Sequence, residues 1–187
     1  MTAAPRIAGT LFLVLLPFAP LASGAELTGT LVVFPPPLEA RFRSDYGVDE
    51  EGVLREAIDA ALERALAPLA LPRPLGAHVT VENVAPTRPT RAQLDANPSL
   101  SPVKSKHLGG AALSAELRDR DGHLITTVKY QYFAPTVPSG SPAQDPWADA
   151  RLAIEGFAAR IAAACAAPSA SWSQAGPRAA TAAADPR

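Results

Sequence analysis

Apolar and polar residues alternate most regularly from Gly109 to Phe133, GGAALSAELRDRDGHLITTVKYQYF, in two runs that flank Asp121-Gly122. An Asp-Gly pair between alternating runs predicts a β-hairpin closed by a two-residue type I′ turn, because glycine takes the positive φ such a turn needs without strain. Centring the turn there sets Leu117 opposite Thr126, Ala115 opposite Val128 and Leu113 opposite Tyr130, all facing a core. Glu116 then meets Thr127 and Ser114 meets Lys129, facing water. A slip of one residue would turn Leu113, Leu117 and Val128 outward, so burial fixes the pairing.

The same alternation and spacing place the remaining elements. Leu27 to Phe34, LTGTLVVF, is β-branched and alternating and predicts a strand, which Pro35-Pro36-Pro37 ends because proline cannot donate to a ladder. Residues 38–48, carrying Glu39, Arg41, Arg43 and Asp45, read as a solvated connector. Asp49 to Ala67 predicts a helix with Asp49 as N-cap, Glu50 and Glu51 in the first turn, and an apolar stripe of Leu54, Ile58, Ala61, Leu62, Ala65, Leu66 and Leu69. His78 to Val84 is a second strand, with Val79 and Val81 on one face. Residues 85–108 form a long stretch rich in proline, serine and threonine, a length of irregular chain that in compact domains tends to be functional or mobile. After a second Pro/Ser/Gly connector, Asp145 to Ala166 predicts a helix with Asp145 as N-cap and Pro146 at its first position, striped by Trp147, Ile154, Phe157, Ala158, Ile161 and Cys165.

The element order is therefore β-α-β-β-β-α. Two striped helices and a sheet of about four strands bury all their apolar faces only if both helices lie on one side of the sheet. The expected fold is α+β, a two-layer sandwich with a largely antiparallel sheet.

Met1 to Ala25 stands apart from this domain. Arg6, the apolar run Ile7 to Phe18 and the small residues Ser23-Gly24-Ala25 predict a cleaved secretory signal peptide. The apolar run falls short of the about 20 residues a membrane span needs, so no stable span is expected in the mature chain. The expected location is the periplasm or the exterior. The leader carries one of the 17 Lys and Arg and none of the 18 Asp and Glu, so the remainder stands at −2. That balance argues against nucleic acid as a partner. The chain beyond the leader, about 160 residues, suits one domain over 26–167, with 168–187 a disordered Ala/Pro/Ser tail in which Trp172 is the one candidate tether. Cys165 is the only cysteine, so no internal disulfide holds the fold.

Candidate chemistry is sparse. No Gly-x-Ser-x-Gly occurs, and Cys165 falls on an apolar helix stripe, which suits a structural thiol better than a nucleophile. His78, His107 and His123 show no helical metal-ligand spacing, and no Cys-x-x-Cys is present. Asp119 and Asp121 suit turn positions, and Gly109-Gly110 suits a close backbone approach better than a phosphate cradle. No catalytic, cofactor or metal site is expected. The most basic region is the 85–108 loop, where Arg88, Arg91, Lys104, Lys106 and His107 are the candidate partner-binding residues.

The extended segment VTVENVAPTRPTRAQLDANPSL, the Gly109-Gly110-Ala111 strand opening, the LSAELRDRDG hairpin and the terminal WADARLAIEGFAARI helix, behind an export signal, together resemble proteobacterial exported envelope proteins of a domain-of-unknown-function family, many of them lipoproteins. The resemblance covers roughly Glu26 to Ala166 and implies a compartment and a fold, with no catalytic residues to carry over. The chain departs from the lipoprotein pattern in lacking a cysteine at the cleavage point. The expected function is a non-enzymatic binding module of the cell envelope, meeting a protein or anionic envelope component through the 85–108 loop or a sheet edge. The alternatives are a small periplasmic hydrolase or metal-dependent enzyme gathering His78, His107, His123, Asp119 and Asp121, and a carrier of a small apolar ligand between sheet and helices.

Overall fold

The computed structural model describes residues 27–69, 71, 74–136 and 145–167. The expected leader, the expected tail with Trp172, and most of the connector before the last helix lie outside those residues. In chain order the elements are β1 (Leu27–Val33), α1 (Pro36–Arg41), a π-helical turn (Phe42–Tyr46), α2 (Asp49–Leu66), β2 (Leu75–Ala85), α3 (Arg91–Ala96), β3 (Gly110–Asp119), β4 (Leu124–Phe133) and α4 (Ala148–Ala166). The fold is α+β, with a four-stranded mixed sheet in the order β1-β2-β3-β4. β1 runs parallel to β2, as the intervening helices require, and the other two pairings are antiparallel.

The two long helices pack on each other and on the sheet, α2 reaching β1 and α4 reaching β3 and β4. Val79, Val81, Leu113, Ala115, Leu117 and Val128 of the sheet join Leu54, Ile58 and Leu62 of α2 and Ile154, Phe157 and Ile161 of α4 in one buried cluster. Each of these side chains apart from Ala115 contributes roughly 1.5–3 kcal/mol on leaving water. The helix stripes read from the sequence are the buried ones, although Ala65, Leu69 and Cys165 are only partly covered.

The hairpin keeps its expected register: Leu117 pairs with Thr126, Glu116 with Thr127, Ala115 with Val128, Ser114 with Lys129 and Leu113 with Tyr130. Its turn differs. The N–H of Gly122 donates to the carbonyl of Asp119 at 3.0 Å, and that of Asp119 to His123 at 3.0 Å, so the loop spans residues 120–122. Gly122 takes φ 84°, the place of a glycine bulge after a tight turn. The register shift between Leu117 and Arg118 absorbs the extra residue, which is why the pairing beyond it is unchanged.

Residues 38–48 are not a solvated connector. The prolines that end β1 begin α1, with Pro35 as N-cap and Pro36 at the first position, where a missing N–H costs nothing and φ is already helical. Leu38, Phe42 and Tyr46 recur at intervals of four and are buried, while Arg41, Arg43 and Asp45 stay exposed. The π-turn closes on Gly47, whose N–H reaches the Phe42 carbonyl at 2.8 Å and whose φ is 105°. Phe34, Phe42, Tyr46 and Trp147 then stack edge to face and tilted, with ring centroids 5.4 to 6.2 Å apart.

Two helix starts are corrected. Asp49 is the first residue of α2 and Val48 the cap, with no side-chain bond. α4 begins at Ala148, not Asp145. The Asp145 carboxylate instead accepts from the Trp147 N–H and from Arg151 at 2.9 and 2.7 Å, folding residues 145–147 into a turn ahead of the helix.

Candidate functional site

The long loop is anchored rather than solvated throughout. Pro86, Thr87, Arg88, Pro89 and Thr90 are all buried. The Thr87 N–H donates to the Pro146 carbonyl at 2.7 Å, its carbonyl accepts from His107 at 2.8 Å, and its hydroxyl donates to Asp149 Oδ2 at 2.9 Å while accepting from the Asp149 N–H at 3.1 Å. Asp149 lies in the first turn of α4, where the helix dipole favours its charge. The first end of the loop is thereby tied to the start of α4, and the last end to Thr87. Thr90 and Gln93 form a reciprocal capping box that opens α3, a short helix the Thr-x-x-Gln spacing encodes but the proline-rich context obscures.

This anchoring divides the five candidate residues. Arg88 is 4% exposed and donates to the carbonyls of Pro102 and Val103 at 3.0 and 2.8 Å, so it holds the loop instead of facing a partner. Arg91 is exposed on α3 and pairs with Asp95 at 2.9 Å. Lys104 is exposed within the turn in which Ser105 bonds back to Ser101; Lys106, half-buried, and His107, exposed, follow it. Gly109 and Gly110 make the close approach expected of them. A Cβ on Gly109 would lie 2.8 Å from the Thr87 nitrogen, and one on Gly110 2.6 Å from the Phe133 Cα.

The three histidines and two aspartates do not all gather at one place. Asp119, Asp121 and His123 have ligand-capable atoms within 4.8 Å of one another at the hairpin turn. His107 leaves the loop just before the opposite end of β3, about 30 Å away along a ten-residue strand. His78 is exposed on the sheet, paired with Glu116. At the turn, Asp119 Oδ1 accepts from the Asp121 and His123 N–H groups at 2.9 Å each, and Oδ2 lies 3.3 Å from His123 Nδ1. Desolvation works to raise the Asp119 pKa, but the bonds from His123 and Asp121 and the His123 charge outweigh it and hold the carboxyl below its ordinary value. Cys165 is half-buried, and burial pushes its thiol pKa up.

What the sheet leaves open is more extensive. Its second face carries exposed His78, Glu82, Glu116, Thr127 and Lys129, with a shallow groove of about 370 Å³ across His78, Thr80, Ser114, Glu116, Thr127 and Lys129. Among the described residues, β4 pairs only with β3, so its other side is a sheet edge. That edge reads LITTVKYQYF, ten residues with one charge and no proline. The opposite edge is guarded: β1 has a register shift after Leu27, and Arg55 of α2 donates to the Val32 carbonyl. The β4 edge is visible in the sequence as a β-branched and aromatic run, yet its position in the strand order is not.

Among the described residues no helix is long and apolar enough to cross a membrane. Compared with protein-family models, curated proteins and solved structures, the chain matches none of them.

Proposed function

We propose that this chain is an exported cell-envelope protein that acts by binding, taking an extended segment of an envelope partner along the outer edge of β4. The leader pattern around Arg6 and Ile7 to Phe18 supports export. The observation that carries the binding reading is the β4 edge itself. Folded proteins blunt long edge strands with charges, prolines or bulges; β4 has one bulge, at Ile125 beside its turn, and Lys129 as its one charge, which leaves residues 126–133 a regular edge. An added strand gains main-chain hydrogen bonds whatever its sequence, and its alternate side chains lie beside Thr127, Lys129 and Gln131. Lys129 already reaches Glu82 at 3.9 Å across the open face, so an acidic side chain on the incoming strand completes a charge pair there.

Photocrosslinking in the cell tests this. A photoreactive residue at Gln131 is expected to yield an adduct of defined mass with another envelope protein, one at exposed Glu63 of α2 is not, and Thr127→Pro, which breaks the strand, is expected to abolish the adduct. Identical adducts from both positions, none from either, or only a dimer of the chain itself would contradict it.

A further inference from the structure

Each edge of the sheet has an arginine standing at it, and the two are in opposite states. Arg55 of α2 is engaged at the β1 edge, donating to the Val32 carbonyl and pairing with Glu51 at 2.9 Å. Arg160 of α4 stands at the β4 edge. One helical turn before it Gly156 lies against the Tyr130 phenol, and Arg160 itself lines an open cavity of about 350 Å³ with Tyr130, Gln131 and Lys129 of β4 and Glu82 of β2. It is exposed and, among the described residues, has neither a hydrogen bond nor an ion pair. Every other described arginine has at least one. The carboxylates on the surrounding elements are engaged elsewhere: Glu155 with Arg64, Glu116 with Arg118, Asp149 with Thr87 and Asp119 within the hairpin turn. β4 carries none. Glu82 lies in the cavity but faces Lys129 at 3.9 Å, so one negative and two positive groups leave a cation there without a counter-charge.

A guanidinium meets a carboxylate with two parallel N–H bonds, and an ammonium beside it adds charge without a fixed direction. The cavity opens beside exposed Gln131, where a strand added to β4 sets its side chains. Resting on the reading that an extended segment joins β4, we infer that Arg160 makes the site selective for an acidic strand, taking a Glu or Asp side chain of the incoming segment beside Gln131. An exposed pair adds about fivefold in affinity at most, but a basic side chain in the same place meets two cations and is rejected. Arg160 thus decides which segments are accepted more than how tightly they are held.

The test places a photoreactive phenylalanine analogue at Phe133 of the full chain in the cell, which leaves the cavity residues intact. The adducted segment, sequenced by mass spectrometry, is expected to carry Asp or Glu beside the attachment point. Arg160→Gln is expected to lower the adduct yield about fivefold, Arg160→Lys to keep most of it, Arg160→Glu to abolish it, and Arg43→Gln to leave it unchanged. A synthetic peptide of that segment with its acidic residue changed to Lys is expected to bind the Arg160→Glu protein and not the wild type, which separates a lost charge from a lost fold. No adduct from the wild-type chain would end the strand-addition reading and this inference with it. An adduct that Thr127→Pro abolishes but Arg160→Glu leaves unchanged, or a segment without an acidic residue, would overturn the inference and leave strand addition standing.

Discussion

Gly156 of α4 lies directly beneath the phenol of Tyr130 in β4: a Cβ built on the glycine would stand 2.5 Å from the Tyr130 hydroxyl oxygen and 2.7 Å from its ring carbon Cζ. The missing side chain lets α4 settle against the sheet next to the strand whose far edge is open. Gly156→Ala should therefore run against helix propensity. In an unobstructed helix the change stabilises by about 1 kcal/mol, but here the Tyr130 ring must swing out, and the net result expected is a loss of about 1 kcal/mol. In a Tyr130→Ala background the same change should stabilise. Urea denaturation of the two single variants and the double variant measures the reversal of sign.

Trp147 is 1% exposed, and its indole N–H donates to Glu50 Oε2 at 2.6 Å, joining the start of α4 to the start of α2. Glu50→Ala leaves that N–H without its acceptor and is expected to cost about 1–3 kcal/mol, whereas Glu50→Gln keeps an oxygen in place and should cost less. Trp147→Ala also empties the aromatic cluster and is expected to cost about 3–5 kcal/mol. Thermal unfolding of the three variants gives the order.

The bond between Thr87 and Asp149 holds the long loop. Thr87→Val removes the hydroxyl that both accepts from and donates to Asp149, leaving a buried carboxylate short of a partner, at an expected cost of about 1–3 kcal/mol. Thr87→Ser should recover most of it. Gly109→Ala pushes a methyl group against the Thr87 backbone, which cannot rotate away, and should destabilise more than Gly122→Ala, where the only penalty is the positive φ. Amide exchange of His107, whose N–H is held by the Thr87 carbonyl, reports the loosening directly in the Thr87 variants.

Acid should weaken the hairpin turn. The Asp119 carboxyl titrates below its ordinary 3.8 in the folded chain, so its contribution is fully present above that value and is lost as pH falls through the folded pKa. Asp119→Asn keeps the oxygen that accepts from Asp121 and His123 but removes the charge. The stability difference between wild type and Asp119→Asn is expected to be larger at neutral pH than at about pH 2.5, which lies below the unfolded-state value, where the contribution of the charge is already being lost. Chemical denaturation at the two pH values measures it.

The helix stripes, the hairpin register and the placement of both long helices on one face are legible in the residues, because Leu54, Ile58, Phe157, Ile161 and Leu113 each have one arrangement that removes them from water. Segments whose burial is interleaved with charge are harder. Leu38, Phe42 and Tyr46 sit among four charged residues behind three prolines, a context that reads as a break, and only the interval of four betrays the helix. Arg88 looks like its basic neighbours in the sequence; its burial follows from how Pro102 and Val103 fold back over it, which no local pattern carries. The turn differs by one residue because Asp119, with its side-chain bonds to Asp121 and His123, competes with Asp121-Gly122 for the corner.

The binding role rests on β4 being an unoccupied edge, and residue-resolved amide hydrogen exchange in the isolated chain tests that directly. From Thr126 to Phe133 slow and fast amides should alternate, the slow ones held by β3 and the fast ones facing water. An unbroken run of slow amides along the strand would mean that the edge is already covered, and with it the place proposed for a partner.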